Sequence, residues 1–487
     1  MKTTMRRVTA MSILLLAMAA LAAAQAPSRS APPALGPAPA LTLPAIQRRA
    51  LSNGLPVWIV ELHKVPVVQV DLVVMAGAGA DPAGRHGAAS LMAAMLDEGA
   101  GARSALEIAD AIDRLGATLQ TRSSFDASAV GLWVPVARLA DALPVMADVA
   151  LRPTFPVTEL ERLRKERLTA MLQARDDPSR IAQLAFPRVV FGPRHRYGVA
   201  ANGTPESVKA MTVGDLRAFH ASHVVPANAA LVVVGDVTPE GLLPRLEAAF
   251  GSWRPQGAPA VVAPVGDAPQ LKTRQVVIID KPGAAQSQIA IGGVGVSRAT
   301  PDYFRLEVLN TILGGSFTSR LNQNLREQHG YTYGAGSRFS MTRSAGPFLA
   351  ASSVQTEVTT EALKEFFNEL TGILEPVPAE ELSKAKNYVA LAFPGRFETV
   401  GDIAAALEDM VIYGLPQDYF TTYVPGIRAV GAAELQKAAA TYILPDRFAV
   451  VIVGDRQKIE AGVRALKLGP VTVMTVEQAL GPAVKVE

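Results

Sequence analysis

The segment Val67-Val68-Gln69-Val70-Asp71-Leu72-Val73-Val74-Met75 sets apolar Val68, Val70, Leu72 and Val74 against polar Gln69 and Asp71. That alternation predicts a strand with one apolar face, and the Gly-rich stretch after it predicts a turn. Apolar positions then recur at helical spacing over 88–98, 105–115, 139–151 and 159–175. Ala229 to Val234 reads as another strand, closed by Gly235-Asp236. Upstream, order is expected from about Arg48, where Asn53-Gly54 separates two short segments as a hairpin turn does.

The second half repeats this grammar. Phe155-Pro156-Val157-Thr158-Glu159-Leu160 matches Val377-Pro378-Ala379-Glu380-Glu381-Leu382 at an offset of 222 residues. Val234-Gly235-Asp236 matches Val453-Gly454-Asp455, and Pro226 matches Pro445, each at an offset of 219. Three landmarks at nearly one spacing predict two homologous α+β domains, each an antiparallel-rich sheet with helices packed on one side. The expected bounds are 45–250 and 272–466, with a Pro/Gly-rich linker at 251–271 and an appended tail at 467–487.

Composition places the chain outside the cytoplasm. Lys2, Arg6 and Arg7 precede an apolar run from Met11 to Ala24, which predicts a signal peptide over 1–24 and a mature start at Gln25. A Pro/Ala-rich leader follows over 25–44. No later apolar run suits a membrane span, so a periplasmic or secreted chain without one is expected after signal removal. The absence of cysteine excludes disulfides, thiolate metal sites and lipid attachment at cysteine. Removing the signal also leaves 44 Lys+Arg against 44 Asp+Glu, and with that balance goes any electrostatic case for a nucleic-acid partner.

Candidate chemistry concentrates in the second half. Leu321 to His329 predicts a helix stopped by Gly330, and Tyr331-Thr332-Tyr333 then alternates as a strand with both tyrosines on one side. Arg326 in the last helical turn and Tyr333 early in that strand would converge, offering two donors to developing negative charge. The plain alternative is a solvated helix arginine and an ordinary strand tyrosine. The turn Leu313-Gly314-Gly315-Ser316 either lets backbone approach a peptide or is simply tight. His220 and His223 have the i,i+3 spacing of a metal pair, but a surface helix end before Pro226 accounts for them. His86 sits in a loop, and His329 suits a helix C-terminus.

These landmarks resemble the insulinase/pitrilysin-like zinc peptidases, a family that includes the mitochondrial processing peptidase. The resemblance runs from Arg48 to Asp455. It rests on Leu51-Ser52-Asn53-Gly54-Leu55, on Ala76-Gly77-Ala78-Gly79 with Asp81, and on Asp176-Asp177-Pro178. Pro226-Ala227-Asn228 adds to it, and Leu325-Arg326-Glu327-Gln328-His329-Gly330-Tyr331-Thr332-Tyr333 is its most specific part. It implies paired α+β domains enclosing a peptide-sized chamber.

The family places zinc on a helical H-x-x-E-H motif. Alignment on Gly87 and Met95-Leu96 puts Ser90 and Ala94 at the two histidines and Ala93 at the glutamate base. The third ligand, a glutamate in relatives, falls near Ala170, with Glu166 a turn away as the one substitute carboxylate. One carboxylate does not make a zinc site. The resemblance therefore implies a chain that binds no metal or other cofactor itself, with zinc held by a catalytic homologue in a heterodimer. It gives Arg326 and Tyr333 the task of holding substrate backbone and oxyanion in trans, and Gly314, Gly315 and Ser316 that of touching a peptide or unfolded polypeptide substrate. The expected function is the non-catalytic, substrate-binding subunit of an exported zinc metallopeptidase. The alternative is a peptide-binding or scaffold protein with no proteolytic role, like the respiratory-complex core subunits of similar fold.

Overall fold

The computed structural model describes residues 45–255, 260 and 262–483. The expected signal peptide and leader lie outside the described residues, as does part of the expected linker; the described chain belongs to one unit, Leu43–Glu487. Its first half builds β1 (Gln47–Ala50), β2 (Pro56–Glu61), β3 (Val67–Val74), a short ribbon of β4 (Gly99–Ala100) and β5 (Arg103–Ser104), then β6 (Thr118–Ser123), β7 (Ser128–Pro135) and β8 (Ala229–Gly235). The second half builds β9 (Gln275–Asp280), β10 (Gln286–Val294), β11 (Ala335–Phe339), β12 (Pro347–Gln355), β13 (Ala449–Gly454) and β14 (Val471–Thr475).

The two six-stranded sheets run β1-β2-β8-β3-β7-β6 and β11-β12-β10-β13-β9-β14. Five strands correspond, with β6-β7-β3-β8-β2 repeated as β11-β12-β10-β13-β9. Even the register repeats. Asp71 of β3 sits opposite Val232 of β8, and Ala290 of β10 sits opposite Val451 of β13. Val232 and Val451 stand 219 residues apart, the offset of the sequence landmarks. Most pairings are antiparallel; β2 with β8 and β9 with β13 are parallel.

The halves differ at the outer edge. β1 closes the first sheet antiparallel to β2, whereas β14 closes the second parallel to β9. Within the expected tail, the described residues 467–483 are thus no loose appendage. Val276 and Ile278 offer β9 an unpaired edge, and Val471 to Thr475 fill it before the helix Val476–Leu480 folds back.

Each sheet carries helices of its own half on one face, as expected, but its other face is covered by a helix of the opposite half. Helix Pro178–Phe191 packs on β10 and β13, setting Ile181, Ala185 and Phe186 against Val277, Ile279 and Val451. Helix Val400–Tyr413 packs on β3 and β8. The two helices begin 222 residues apart, so the exchange is part of the repeat. It also corrects the simple alternation read from β3. The polar side of that strand does not face water: Asp71 is 2% exposed, beneath the crossing helix. No described helix is long and apolar enough to cross a membrane.

Candidate functional site

Ala88–Met95, the segment that the resemblance assigns to a zinc-binding helix, is a helix. It starts from Gly87 in the left-handed region (φ +93°), where the side chain of any other residue would also strike the Asn202 carbonyl. Its two first free amides are taken by one carboxylate: Gly87 N and Ala89 N donate to Asp81 at 2.6 and 2.8 Å. Asp81 is fully buried and pairs with Arg196 at 2.8 Å. Burial raises the Asp81 pKa against the pull of those amides and of Arg196.

Spacing along this helix agrees with the sequence register. Ser90 and Ala94, four residues apart, lie half-buried, while Ala93 is 2% exposed and turned into the packed interior. The surprise is Arg167, on helix Val157–Gln173 one turn before Ala170. Its guanidinium donates to Ser90 Oγ at 2.8 Å, to the Ser90 carbonyl at 3.3 Å and to the Asn202 carbonyl at 3.4 Å. No carboxylate among the described residues pairs with it, and burial lowers its pKa. Between the two helices to which the resemblance assigns a zinc cation, this chain places a guanidinium.

The residues present do not fit zinc. Ser90, Ala93, Ala94 and Ala170 supply no imidazole or carboxylate, and Arg167 puts a fixed positive charge beside the position. Glu166 does not substitute: it is 59% exposed and held by Arg162 at 3.0 Å. The described residues contain no cluster of three or more His, Asp or Glu suited to a metal. Sequence reasoning passed over Arg167 because the search there was for ligands, not for charges that exclude one. An arginine at i−3 from a vacated ligand position was the available signal.

The histidine pair is displaced from expectation in another way. His220 and His223 are buried, not at a surface helix end. His220 Nε2 lies 2.9 Å from the Ala150 carbonyl, His223 Nδ1 lies 3.1 Å from the Phe219 carbonyl, and burial lowers both pKa values. They are packing groups with satisfied nitrogens.

In the second half the expected helix is present but irregular. Arg320–Asn322 is α-helical, and Gln323–Gln328 widens into a π-turn in which His329 N donates to the Asn324 carbonyl. Gly330 (φ +66°) ends it as predicted. Such single π-turns are costlier than α-helix and recur at functional sites. Arg326 lies within this one. Its guanidinium stacks over Phe317 at 4.4 Å and, among the described residues, pairs only with its neighbour Glu327, at 3.4 Å.

Tyr331–Tyr333 is not a strand; β11 begins at Ala335. The reason is local: Asn322 Oδ1 accepts from Ala335 N, and the Thr332 hydroxyl bridges to Gly334, so the intervening residues loop out. The two tyrosines therefore do not share a face. Tyr331 stacks on His329, whereas Tyr333 is 92% exposed. Arg326 and Tyr333 are not in contact with each other among the described interactions; Arg326 lies over exposed Phe317, and Tyr333 follows in the loop after the turn.

Gly314 and Gly315 have a structural task. A side chain on Gly314 would run into Ser337 N of β11, and one on Gly315 would meet Asn310. The Gly314 carbonyl accepts from Ser337 N at 3.1 Å, so the pair joins helix Tyr303–Leu313 to the sheet edge. Ser316 lies on the wall of a cavity of about 250 Å³ with Thr318, Glu380, Lys384 and Tyr388.

Comparison with known proteins finds matches to both halves of the chain. The family model described as Insulinase (Peptidase family M16) matches residues 57–189, and that described as Peptidase M16 inactive domain matches residues 210–389. An uncharacterized zinc protease of Mycobacterium leprae is 27% identical over 362 residues, covering 74% of this chain and 79% of its own. The non-peptidase homolog YmxG of Helicobacter pylori is 24% identical over 410 residues, covering 83% and 92%. Among solved structures, a peptidase M16 inactive domain from Pseudomonas fluorescens superposes with a TM-score of 0.78 at 26% identity, over 84% of this chain and 98% of that one.

Proposed function

We propose, from the premise that this chain belongs to the insulinase family of peptidases as a member without the family's zinc ligands, that it is the non-catalytic, substrate-binding subunit of an exported two-chain zinc metallopeptidase. Zinc and general base belong to a homologous partner carrying an intact H-x-x-E-H helix. This chain contributes Arg326 and Tyr333, which bind the peptide backbone and the oxyanion that develops during attack. Export rests on the N-terminal segment 1–24.

One observation carries the reading. The metal half of the site is replaced by alanines and a guanidinium, while Arg326 sits in a π-turn and no buried carboxylate among the described residues takes its donors. A scaffold with no substrate has no use for that turn. Guanidinium and phenol supply what the task needs, namely donors beside exposed aromatic surface on which a peptide can lie.

Expression of the chain alone, and together with a homologue from the same source that keeps the zinc motif, tests the proposal. The isolated chain is expected to show no zinc-dependent proteolysis, and the pair to cleave an unfolded polypeptide. Proteolysis by the isolated chain sinks the division of labour. Replacing Arg326 by Ala in the assembled pair should lower turnover at least tenfold, the size of a lost oxyanion donor being about 10²–10³. Unchanged turnover in an intact complex instead supports the scaffold reading.

A further inference from the structure

A cleft of about 710 Å³ runs from Ala170, at the vacated third-ligand position, to the C-terminal segment Leu480–Pro482. Three arginines line it: Arg175, Arg180 and Arg188. None of the three pairs with a carboxylate among the described residues, although ion pairs are plentiful elsewhere, as at Arg162, Arg305 and Arg320. The nearby acids do not neutralise them. Asp177 is the N-cap of helix Pro178–Phe191, accepting from Ser179 N and Arg180 N, and Asp176 pairs with Lys281 at 3.2 Å. Glu206, across the cleft, is the one lining carboxylate with no such engagement.

The cleft already binds peptide main chain. Arg175 Nη2 donates to the Gly481 carbonyl at 2.8 Å, and Arg188 Nη1 donates to the Leu480 carbonyl at 3.3 Å. Both carbonyls belong to this chain where it leaves the helix Val476–Leu480, at Gly481 (φ +89°). Each arginine uses one donor there and keeps others, since a guanidinium carries five. Arg180 is freer still, touching only Gln183 at 3.3 Å. The volume lies in the range of pockets that enclose a drug-sized ligand, equivalent to a few residues of extended chain.

We propose that this cleft is a binding site for a short acidic peptide segment, whose carboxylates pair with Arg180 and with the unused donors of Arg175 and Arg188. The planar fork of arginine matches a carboxylate in two parallel hydrogen bonds, which explains arginine rather than lysine at all three positions. The site takes its ligand in extended form, alongside Leu480-Gly481-Pro482, which form part of its wall. It draws on no residue near Arg326, so it stands or falls separately from the peptidase-subunit reading.

The test uses the full chain and a fluorescein-labelled hexapeptide containing three glutamates, titrated by fluorescence anisotropy. Saturable binding that weakens with salt is expected, with no binding of the lysine counterpart. Arg180→Glu should weaken binding at least tenfold, and Arg180→Ala severalfold. Because Arg180 is exposed and makes one weak contact, both variants should keep wild-type circular dichroism and melting. Arg326→Ala should bind as wild type. Absence of saturable binding, equal binding of acidic and basic peptides, or an unchanged affinity in folded Arg180→Glu overturns the proposal. So does full displacement by inorganic phosphate at equal concentration, which would assign the cleft to small anions.

Discussion

The two places that the resemblance assigns to the halves of an active site are in opposite states. Around helix Ala88–Met95 the polar groups are engaged with one another, although a cleft opens beside it at Ala170. Ala93 is buried, Asp81 holds the helix amides and Arg196, and Arg167 is bound by Ser90 and Asn202. Around Arg326 the surroundings stay open, with Phe317 and Tyr333 exposed and no buried partner for the guanidinium. The difference has a physical basis. A buried polar site without its ligand leaves unsatisfied groups that cost about 1–3 kcal/mol each, so a lost metal site is filled by apolar packing and internal hydrogen bonds. Surface donors carry no such penalty and can persist whether or not they are used. Persistence of Arg326 alone would therefore teach little; its persistence inside a π-turn is the informative part.

The strongest way to break the closed side is Asp81→Ala. The variant frees two helix amides and leaves Arg196, 9% exposed, without its carboxylate. Removing one partner of a buried pair costs about 3–5 kcal/mol. Urea denaturation should show that loss; a change below 1 kcal/mol would mean that the helix start is not held by Asp81. On the open side, Gly314→Ala should cost roughly 1–3 kcal/mol, the usual range for overpacking, because the added methyl runs into β11 at Ser337. A neutral outcome would show that the turn yields, and would return the Gly pair to the role of a mobile peptide contact.

A subtler contrast separates the two exchanged helices. At equivalent register positions the second sheet carries Ala290 and the first carries Asp71. Helix Val400–Tyr413 brings Glu408 against Asp71, with Arg122 ion-paired to Glu408 and 3.8 Å from Asp71, and Gln69 donating to Asp71 at 2.8 Å. Burial, and then the Glu408 charge, push the Asp71 pKa up to about 7. The folded state therefore keeps a proton on Asp71 over a range where the unfolded chain has lost it. Its contribution to stability is greatest near pH 4 and falls as pH rises toward 7, then levels. Asp71→Asn should flatten that part of the profile and stabilise the chain above pH 7 by up to about 4 kcal/mol, the equivalent of the rise from 3.8 to about 7. Parallel wild-type and variant profiles would remove Asp71 from the account.

Much of this architecture was legible in the residues, and the parts that were not share a cause. The repeat was visible because equal strand ends recur at one offset, and β3 was visible because its alternation is local. The helix exchange was not, since apolar positions on Pro178–Phe191 say that a face is buried but not against which sheet. Likewise β14 reads as a tail because a five-residue edge strand carries little periodicity. At the site, absence of ligands at Ser90, Ala93 and Ala94 followed from a motif of fixed spacing. Arg167 and the looping of Tyr331–Tyr333 depend on contacts between segments distant in sequence, or on one asparagine bond to Ala335, which no local pattern encodes.

The smallest effect on stability is expected where the largest effect on function is proposed. Arg326→Ala removes a guanidinium that is 35% exposed and meets only Glu327 and the Phe317 face. An exposed ion pair contributes about 0–1 kcal/mol and a surface cation–π contact about 0.5–1 kcal/mol. Both occur on mobile side chains, and the new alanine favours helix, so the net change should stay within about 0.5 kcal/mol. Urea denaturation of the isolated chain checks this. If Arg326→Ala instead costs several kcal/mol, the residue braces the π-turn, and a loss of turnover in the assembled pair could no longer be assigned to substrate binding. If stability holds and turnover falls, the open half of the site is open because a peptide and a partner's zinc complete it.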